Sequence, residues 1–178
     1  MEIIKVKTYV GCTDDYMDNI VKYPINEDSV AVMGYGVDVK DSENTKRQFK
    51  AMAKYYGNNQ KNPFIQYIMS FSKETAPDAK TAMAITEKVL NPLIEDHQVE
   101  IGIHKKQRDN SYYHSHSYVG TTNINIGKML YANNMTNFYT AQRLADITQQ
   151  ETMLIIEKND PNPNSKPYKK LFKPHKVK

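Results

Sequence analysis

Apolar residues recur along the chain at two spacings, and each spacing predicts a different kind of secondary structure. A recurrence every three or four residues predicts helices over residues 13–23, 42–56, 77–94 and 136–150. Alternating or continuous runs rich in β-branched residues predict strands over residues 2–9, 64–72, 98–105, 112–120 and 152–158. The stretch 29–39 contains two glycines and is as compatible with a loop as with a strand.

This order of elements predicts one α+β domain over residues 1–158. A short polar turn joins the strands 98–105 and 112–120, so these two strands should pair antiparallel within a mainly antiparallel central sheet. We expect the helices to cover one face of that sheet. Residues 159–178 are rich in proline and lysine and predict an open, basic tail.

The composition narrows the class of protein. Hydrophobic residues make up 39% of the 178 residues and charged residues 25%, which is typical of a folded, polar protein. No apolar run approaches the roughly 20 residues that cross a bilayer, and the first residues do not resemble a signal peptide. The single cysteine, Cys12, excludes an intrachain disulfide framework. We therefore expect a cytoplasmic protein without a membrane partner.

The charge is mildly basic and unevenly distributed. The net charge is +4, and six lysines follow residue 165 with no acidic residue among them. The lysines of such a segment attract the phosphates of nucleic acids. A solvated tail with no binding role would have the same composition, so the charge alone leaves both interpretations open.

Three of the five histidines fall on the predicted hairpin and are candidate metal ligands. His114 and His116 are two residues apart on one strand, so their side chains share a face, and the partner strand can bring His104 beside them. Three imidazoles suit a divalent cation and leave coordination positions open. A lone His-x-His pair is usually an ordinary solvated strand face, but the third histidine favours metal binding. Asp109 is either a partner for a ligand imidazole or an ordinary turn residue.

The same stretch contains a sequence motif. IGIHKKQRDNSYYHSHSYVGTTNINIGK resembles the three-histidine signature of conjugative and mobilisation relaxases of the HUH endonuclease superfamily, in which an asparagine-rich run ending in Gly-Lys follows the histidine pair. NIVKY, which ends at Tyr23, resembles the family's N-terminal helix and tyrosine, although Pro24 stands where isoleucine is usual. QYIMSFS, with Ser70, resembles the family's hydrophobic strand ending in Ser-Phe. The resemblance extends over nearly the whole chain.

The resemblance implies the palm-like fold of HUH endonucleases and a DNA-cutting reaction. A tyrosine would attack a phosphodiester of single-stranded DNA at an origin of transfer, and the resulting 5′-phosphotyrosine would preserve the bond for rejoining. Tyr23 is implied as the nucleophile, with Tyr16 as the second choice. A divalent ion, Mg²⁺ or Mn²⁺, would polarise the phosphate from its ligands His104, His114 and His116.

Further residues and partners follow from the same resemblance. Ser70 is implied to hold the DNA near the break. Besides single-stranded DNA, the expected partners are accessory relaxosome proteins and a coupling protein. Basic and polar residues in and after the hairpin are candidates for contact with the DNA backbone. These residues are Lys105, Lys106, Arg108, Asn123 and Lys128.

Three other functions stay open at this point. A replication-initiation or transposase nuclease of the same superfamily shares the histidine pair, but there the tyrosine commonly follows the histidines, whereas Tyr23 precedes them. A degenerate relaxase that serves as an accessory protein would bind DNA without cutting it. A metal-dependent hydrolase of small molecules would need carboxylate ligands and a general base that the motif does not provide.

Overall fold

The computed structural model describes residues 1–8, 21–58, 63–105, 112–130, 134–158 and 166–176. Seven strands and three helices lie in these ranges. The helices are α1 (Ser42–Tyr55), α2 (Ala79–Ile94) and α3 (Asn134–Thr148). The strands are β1 (Glu2–Thr8), β2 (Ser29–Tyr35), β3 (Phe64–Ser70), β4 (His97–Lys105), β5 (Tyr113–Asn123), β6 (Thr152–Lys158) and β7 (Tyr168–Phe172).

The strands form one sheet in the order β2-β4-β5-β3-β1-β6-β7. Every neighbouring pair is antiparallel except β1 and β6, which run parallel. The hairpin of β4 and β5 lies inside the sheet, between β2 and β3. The prediction of an α+β fold with a mainly antiparallel sheet is confirmed.

Helices α2 and α3 close one face of the sheet. Ala82 and Leu90 of α2 and Ala141 and Leu144 of α3 are fully buried, and they belong to one core cluster with strand residues such as Ile101. The strand residues in this core alternate with residues of the opposite face, because successive side chains of a strand point to opposite sides. One face of the sheet is therefore packed against α2 and α3, and the alternate side chains of the strands point to the second face.

Helix α1 packs on that second face, so the helices lie on both faces of the sheet and not on the one face that we expect from the sequence. Phe49 of α1 meets Phe64 of β3 edge-to-face, with the ring centroids 4.7 Å apart. Both rings belong to a second apolar cluster that includes Tyr118 of β5. The sequence shows an apolar stripe on this helix, but the stripe does not indicate which side of the sheet receives it.

The C-terminal region departs from the expected open tail. Residues 168–172 form β7, which pairs antiparallel with β6 and buries Phe172. This segment is rich in lysine and does not show the alternation of apolar and polar residues by which a strand is recognised. The division into a domain over 1–158 and a tail over 159–178 stays a prediction.

The other elements lie within a few residues of their predicted bounds, and the ambiguous stretch 29–39 provides the strand β2. Most of the helix predicted over 13–23 falls outside the described residues; its last residues, Val21 and Lys22, are helical. In the described parts of the chain, no helix combines the length and the apolar character needed to cross a membrane.

Glu100 is a buried carboxyl group in the middle of β4. Its side chain is fully buried, and neither carboxyl oxygen has a hydrogen-bond partner among the described residues. Burial raises the pKa of Glu100 well above its ordinary value, because a buried carboxylate is much less stable than the buried neutral acid. The folded protein therefore keeps this proton to a higher pH than the unfolded chain does.

Glu100→Met should raise the free energy of unfolding, and the gain should be larger at about pH 8 than at about pH 5. In the wild-type protein the unfolded chain releases the Glu100 proton first, so stability falls as the pH rises above the ordinary glutamate pKa. Removing the unsatisfied carboxyl should add about 1–3 kcal/mol. Urea denaturation at the two pH values measures the difference, and an equal gain at both would contradict the raised pKa.

Candidate functional site

The three histidines of the hairpin lie side by side on one face of the sheet. In the register of β4 and β5, His104 pairs with His114 and Gly102 pairs with His116. The ring centroids of His104 and His114 are 5.6 Å apart, those of His104 and His116 5.2 Å, and those of His114 and His116 5.1 Å. The structure thus brings together the three candidate ligands that the sequence indicates.

Tyr23 lies against these histidines. Its ring is nearly parallel to that of His104, with 8° between the planes and 5.2 Å between the centroids. The same ring meets His116 edge-on, with the centroids 4.6 Å apart. The Tyr23 side chain is 45% exposed, so it touches the histidines and remains accessible to a large ligand.

A close approach between two backbone segments holds Tyr23 in this position. Pro24 crosses directly over Gly102, where an added Cβ would lie 1.8 Å from the Pro24 carbonyl oxygen. Only glycine leaves room for such a crossing. The same carbonyl accepts a hydrogen bond of 2.6 Å from the hydroxyl of Ser29 on β2. The residue after Tyr23 is therefore fixed to both β4 and β2.

Ser29 also determines which nitrogen of His104 carries a proton. The single hydroxyl hydrogen of Ser29 goes to Pro24, so the Ser29 oxygen accepts from Nε2 of His104, 3.3 Å away. Nδ1 of His104 then keeps its lone pair. Burial lowers the pKa of His104, and the opposing effects of the Pro24 carbonyl and of Asp28 do not cancel it. The ring is neutral at neutral pH.

Gln66 of β3 contacts His116 from the other side. The Gln66 amide nitrogen lies 3.2 Å from Nδ1 of His116 and donates a hydrogen bond of 2.9 Å to the Tyr118 hydroxyl. Burial, followed by the charges of the two other histidines and of Lys7, lowers the pKa of His116 to about 3. His116 is therefore a neutral imidazole throughout the physiological pH range.

Neutral imidazoles are the form that binds metal ions, so the donor chemistry of the three histidines fits a divalent cation. Their present orientation does not: within the ranges that the structure describes, no group of three or more His, Cys, Asp or Glu side chains is arranged to hold a metal ion. Nε2 of His104 faces Ser29, and Nδ1 of His116 faces Gln66. An ion held by all three histidines therefore requires at least one of the rings to turn about its Cβ–Cγ bond, a torsion with broad minima.

Ser70 lies at the end of β3, beside the histidines. It pairs with His114 in the register of β3 and β5. Both residues line an open cavity of about 400 Å³, together with Ile3 and Tyr112. A cavity of this size accommodates a small ligand next to His114.

Of the remaining predicted site residues that the structure describes, Asn123 and Lys128 lie away from the histidines. Asn123 lies at the opposite end of β5 from His114, roughly 30 Å along the strand, and its side chain accepts two backbone hydrogen bonds within a turn. Lys128 belongs to the same turn, since its carbonyl accepts from the Asn123 backbone. Lys105 is exposed at the end of β4, next to His104. Outside the described residues lie Tyr16, Lys106, Arg108 and Asp109.

Three residues that shape this site were missed from the sequence. Gln66 is a polar residue inside an apolar strand, and Gly102 interrupts the alternation of β4; both are signals of a special contact. Ser29 gives no such signal, because its position beside His104 follows only from the pairing of β2 with β4.

Gly102→Ala should displace Tyr23 from the histidines while the sheet stays folded. The new methyl group would overlap the Pro24 backbone, which cannot yield without moving Tyr23, and such overpacking costs about 1–3 kcal/mol. The measurement is the set of NMR ring-to-ring contacts of Tyr23 with His104 and His116.

Gly120→Ala is the matched control, since its methyl group would meet the Phe49 ring at 3.1 Å, a side chain that can shift. Contacts of Tyr23 that persist in Gly102→Ala would show that the backbone crossing does not set the position of the tyrosine.

The family described as "Relaxase: MobA/VirD2-like, nuclease domain" matches residues 17–154. The match covers more than half of the chain, including Tyr23, Ser70 and the three histidines. Comparisons with curated proteins and with solved structures give no match. The chain therefore belongs to the MobA/VirD2-like relaxase family, of which it contains the nuclease domain.

Proposed function

We propose that Tyr23 nicks and rejoins single-stranded DNA at an origin of transfer, with the scissile phosphate at the histidines. One observation carries the proposal: the Tyr23 ring lies against both His104 and His116. A phosphate bound at these histidines is close to the tyrosine, and such proximity accelerates an attack. The family match supports a nuclease of the relaxase type, and the contact with the histidines supports Tyr23 as its nucleophile.

The reaction exchanges one phosphate ester for another. The phenol oxygen of Tyr23 attacks the phosphorus, the bond to the 3′ oxygen of the preceding nucleotide breaks, and the 5′ end stays attached as a phosphotyrosine. The phenol proton passes to solvent, and the leaving 3′ oxygen takes up a proton. Attack by that 3′ hydroxyl in the reverse direction rejoins the strand, so no nucleotide cofactor is consumed.

The residues proposed to hold the divalent ion are His104, His114 and His116. Such an ion supplies positive charge next to the phosphate oxygens and offsets the charge that develops on them during attack. Mg²⁺ and Mn²⁺ are the proposed ions. Imidazole nitrogen favours Mn²⁺ of the two, because Mg²⁺ prefers oxygen ligands.

Ser70 is proposed to hold the DNA beside the break, because it lines the same cavity as His114. Lys105, exposed at the end of β4, is proposed to contact the backbone of the bound strand. We propose that this chain acts in the cytoplasm, in conjugation or mobilisation. Its further partners would be accessory relaxosome proteins and a coupling protein.

Tyr23→Phe should abolish covalent attachment of the protein to DNA, because phenylalanine has no oxygen to form the ester. The substrate is an end-labelled single-stranded oligonucleotide that contains the origin of transfer of the protein's own element. Incubation with Mn²⁺, Mg²⁺ or chelator, followed by denaturing electrophoresis, measures the nick and the 5′ adduct. Tyr139→Phe is the matched control, since Tyr139 is 64% exposed on α3.

Three results would change the proposal. An adduct that persists in Tyr23→Phe but disappears in Tyr16→Phe would make Tyr16 the nucleophile. A nick in chelator, or in the double variant His114→Ala and His116→Ala, would exclude metal-assisted catalysis at these histidines. Binding of the cognate strand without a nick under any ion would favour the non-catalytic accessory protein.

Gln66→Met should weaken Mn²⁺ binding by about 10- to 100-fold, the usual effect of losing a group that orients a ligand imidazole. A half-turn of the Gln66 amide presents its oxygen to Nδ1–H of His116, which leaves Nε2 free for an ion. Isothermal titration with Mn²⁺ measures the affinity. Gln98→Met is the control, since Gln98 donates instead to the Gly36 carbonyl. Equal Mn²⁺ affinities of Gln66→Met and the wild type would exclude Gln66 as an orienting residue.

A further inference from the structure

The half of the sheet beyond the histidines has a face of lysines and apolar residues. Every second side chain of β1, β6 and β7 points to the histidine side, as the pairing of Ile3 with Ser70, and of Ser70 with His114, demonstrates. These side chains are half-buried or exposed. We name them the lysine face: Ile3, Lys5 and Lys7 of β1, Met153, Ile155 and Glu157 of β6, and Lys169 and Leu171 of β7.

The lysine face has an excess of positive charge. Lys5 and Lys7 share the carboxylate of Glu157, with nitrogen–oxygen distances of 2.9 and 3.5 Å. Lys169 adds a third ammonium group, which is exposed. Solvent-exposed ion pairs contribute little to stability, so the lysines can exchange Glu157 for phosphate at little cost. A polyanion is the ligand that this distribution of charge fits.

Apolar side chains lie between these lysines. Ile155 pairs with Lys5 on one side and with Lys169 on the other, and Leu171 is 40% exposed on β7. Unpaired bases cover apolar surface, whereas a duplex hides its bases and meets proteins largely through its phosphates. The alternation of ammonium and apolar groups therefore fits a single strand better than a duplex.

We propose that the DNA strand crosses the lysine face between the histidine site and β7, which lies about 19 Å away across four strand spacings. The proposal rests on the proposed function, because it takes the same single strand as ligand. Lys7 joins the two regions, since it pairs with Gln66, which contacts His116. Strands β1 and β7 lie outside residues 17–154, so this surface extends beyond the region of the family match.

Two neighbouring lysines of β7 provide a matched test. Lys169 points to the lysine face, whereas Lys170 points to the other side, with its Nζ 4.3 Å from the centroid of the Phe138 ring. Lys169→Gln and Lys170→Gln each remove one charge. Fluorescence anisotropy in chelator, over a range of salt, measures the binding of the full chain to labelled oligothymidylates of two lengths. One of about 3 nucleotides is too short to reach from the histidines to β7, and one of about 20 nucleotides exceeds the usual site sizes.

Lys169→Gln should weaken binding of the longer oligothymidylate about three- to tenfold and lower the salt slope by about 0.7. It should leave binding of the shorter one unchanged, because that strand is held at the histidine site alone. Lys170→Gln should bind both as the wild type does.

Equal losses in the two variants would overturn the proposal, since net charge would then account for the effect. A loss in Lys169→Gln that is the same for both lengths would overturn it as well. Competition by duplex DNA as effective as by single strand would exclude a role for unpaired bases on this face. These measurements need no cleavage, so they test the lysine face independently of the Tyr23 adduct.

Discussion

The register between β4 and β5 is the constraint on which the rest of the site depends. It sets His104 opposite His114 and Gly102 opposite His116. A shift of one residue would turn every side chain of one strand to the other face. The core strengthens this register, because the same shift would move the apolar residues of β4 out of their cluster with α2 and α3. The forces that stabilise the fold therefore also align the three imidazoles.

The second requirement is that a distant segment lies over this hairpin. Pro24 occupies the position where the family usually has isoleucine, and its carbonyl accepts a hydrogen bond from Ser29 above the hydrogen-only side chain of Gly102. The unusual residue is thus part of the contact that positions Tyr23. Burial then keeps His104 and His116 neutral, which suits them to accept a proton or to donate a lone pair to a cation.

The sequence predicts the periodic features of this protein and misses those that depend on three-dimensional packing. The two-residue spacing of His114 and His116, with His104 across the turn, suffices to place them together, because the geometry of a hairpin is local. The face on which α1 packs is set by the contacts of Phe49 with Phe64 and Tyr118. No local sequence pattern specifies these contacts. The lysines of β7 hide the alternation that would identify it as a strand, and only the structure shows that Asn123 closes a turn at the far end of β5.

The parallel pairing of β1 with β6 has a consequence for how the chain folds. The strands β2, β4, β5 and β3 are consecutive neighbours in the sheet and do not require β6 for their pairing. The contact of β1 with β6 closes a loop that spans most of the chain, and contacts between residues so distant in sequence form slowly. On the ribosome, the histidine strands emerge before β6 and β7 do. The part of the sheet that contains the histidines can thus assemble while β6 and β7 are still being synthesised.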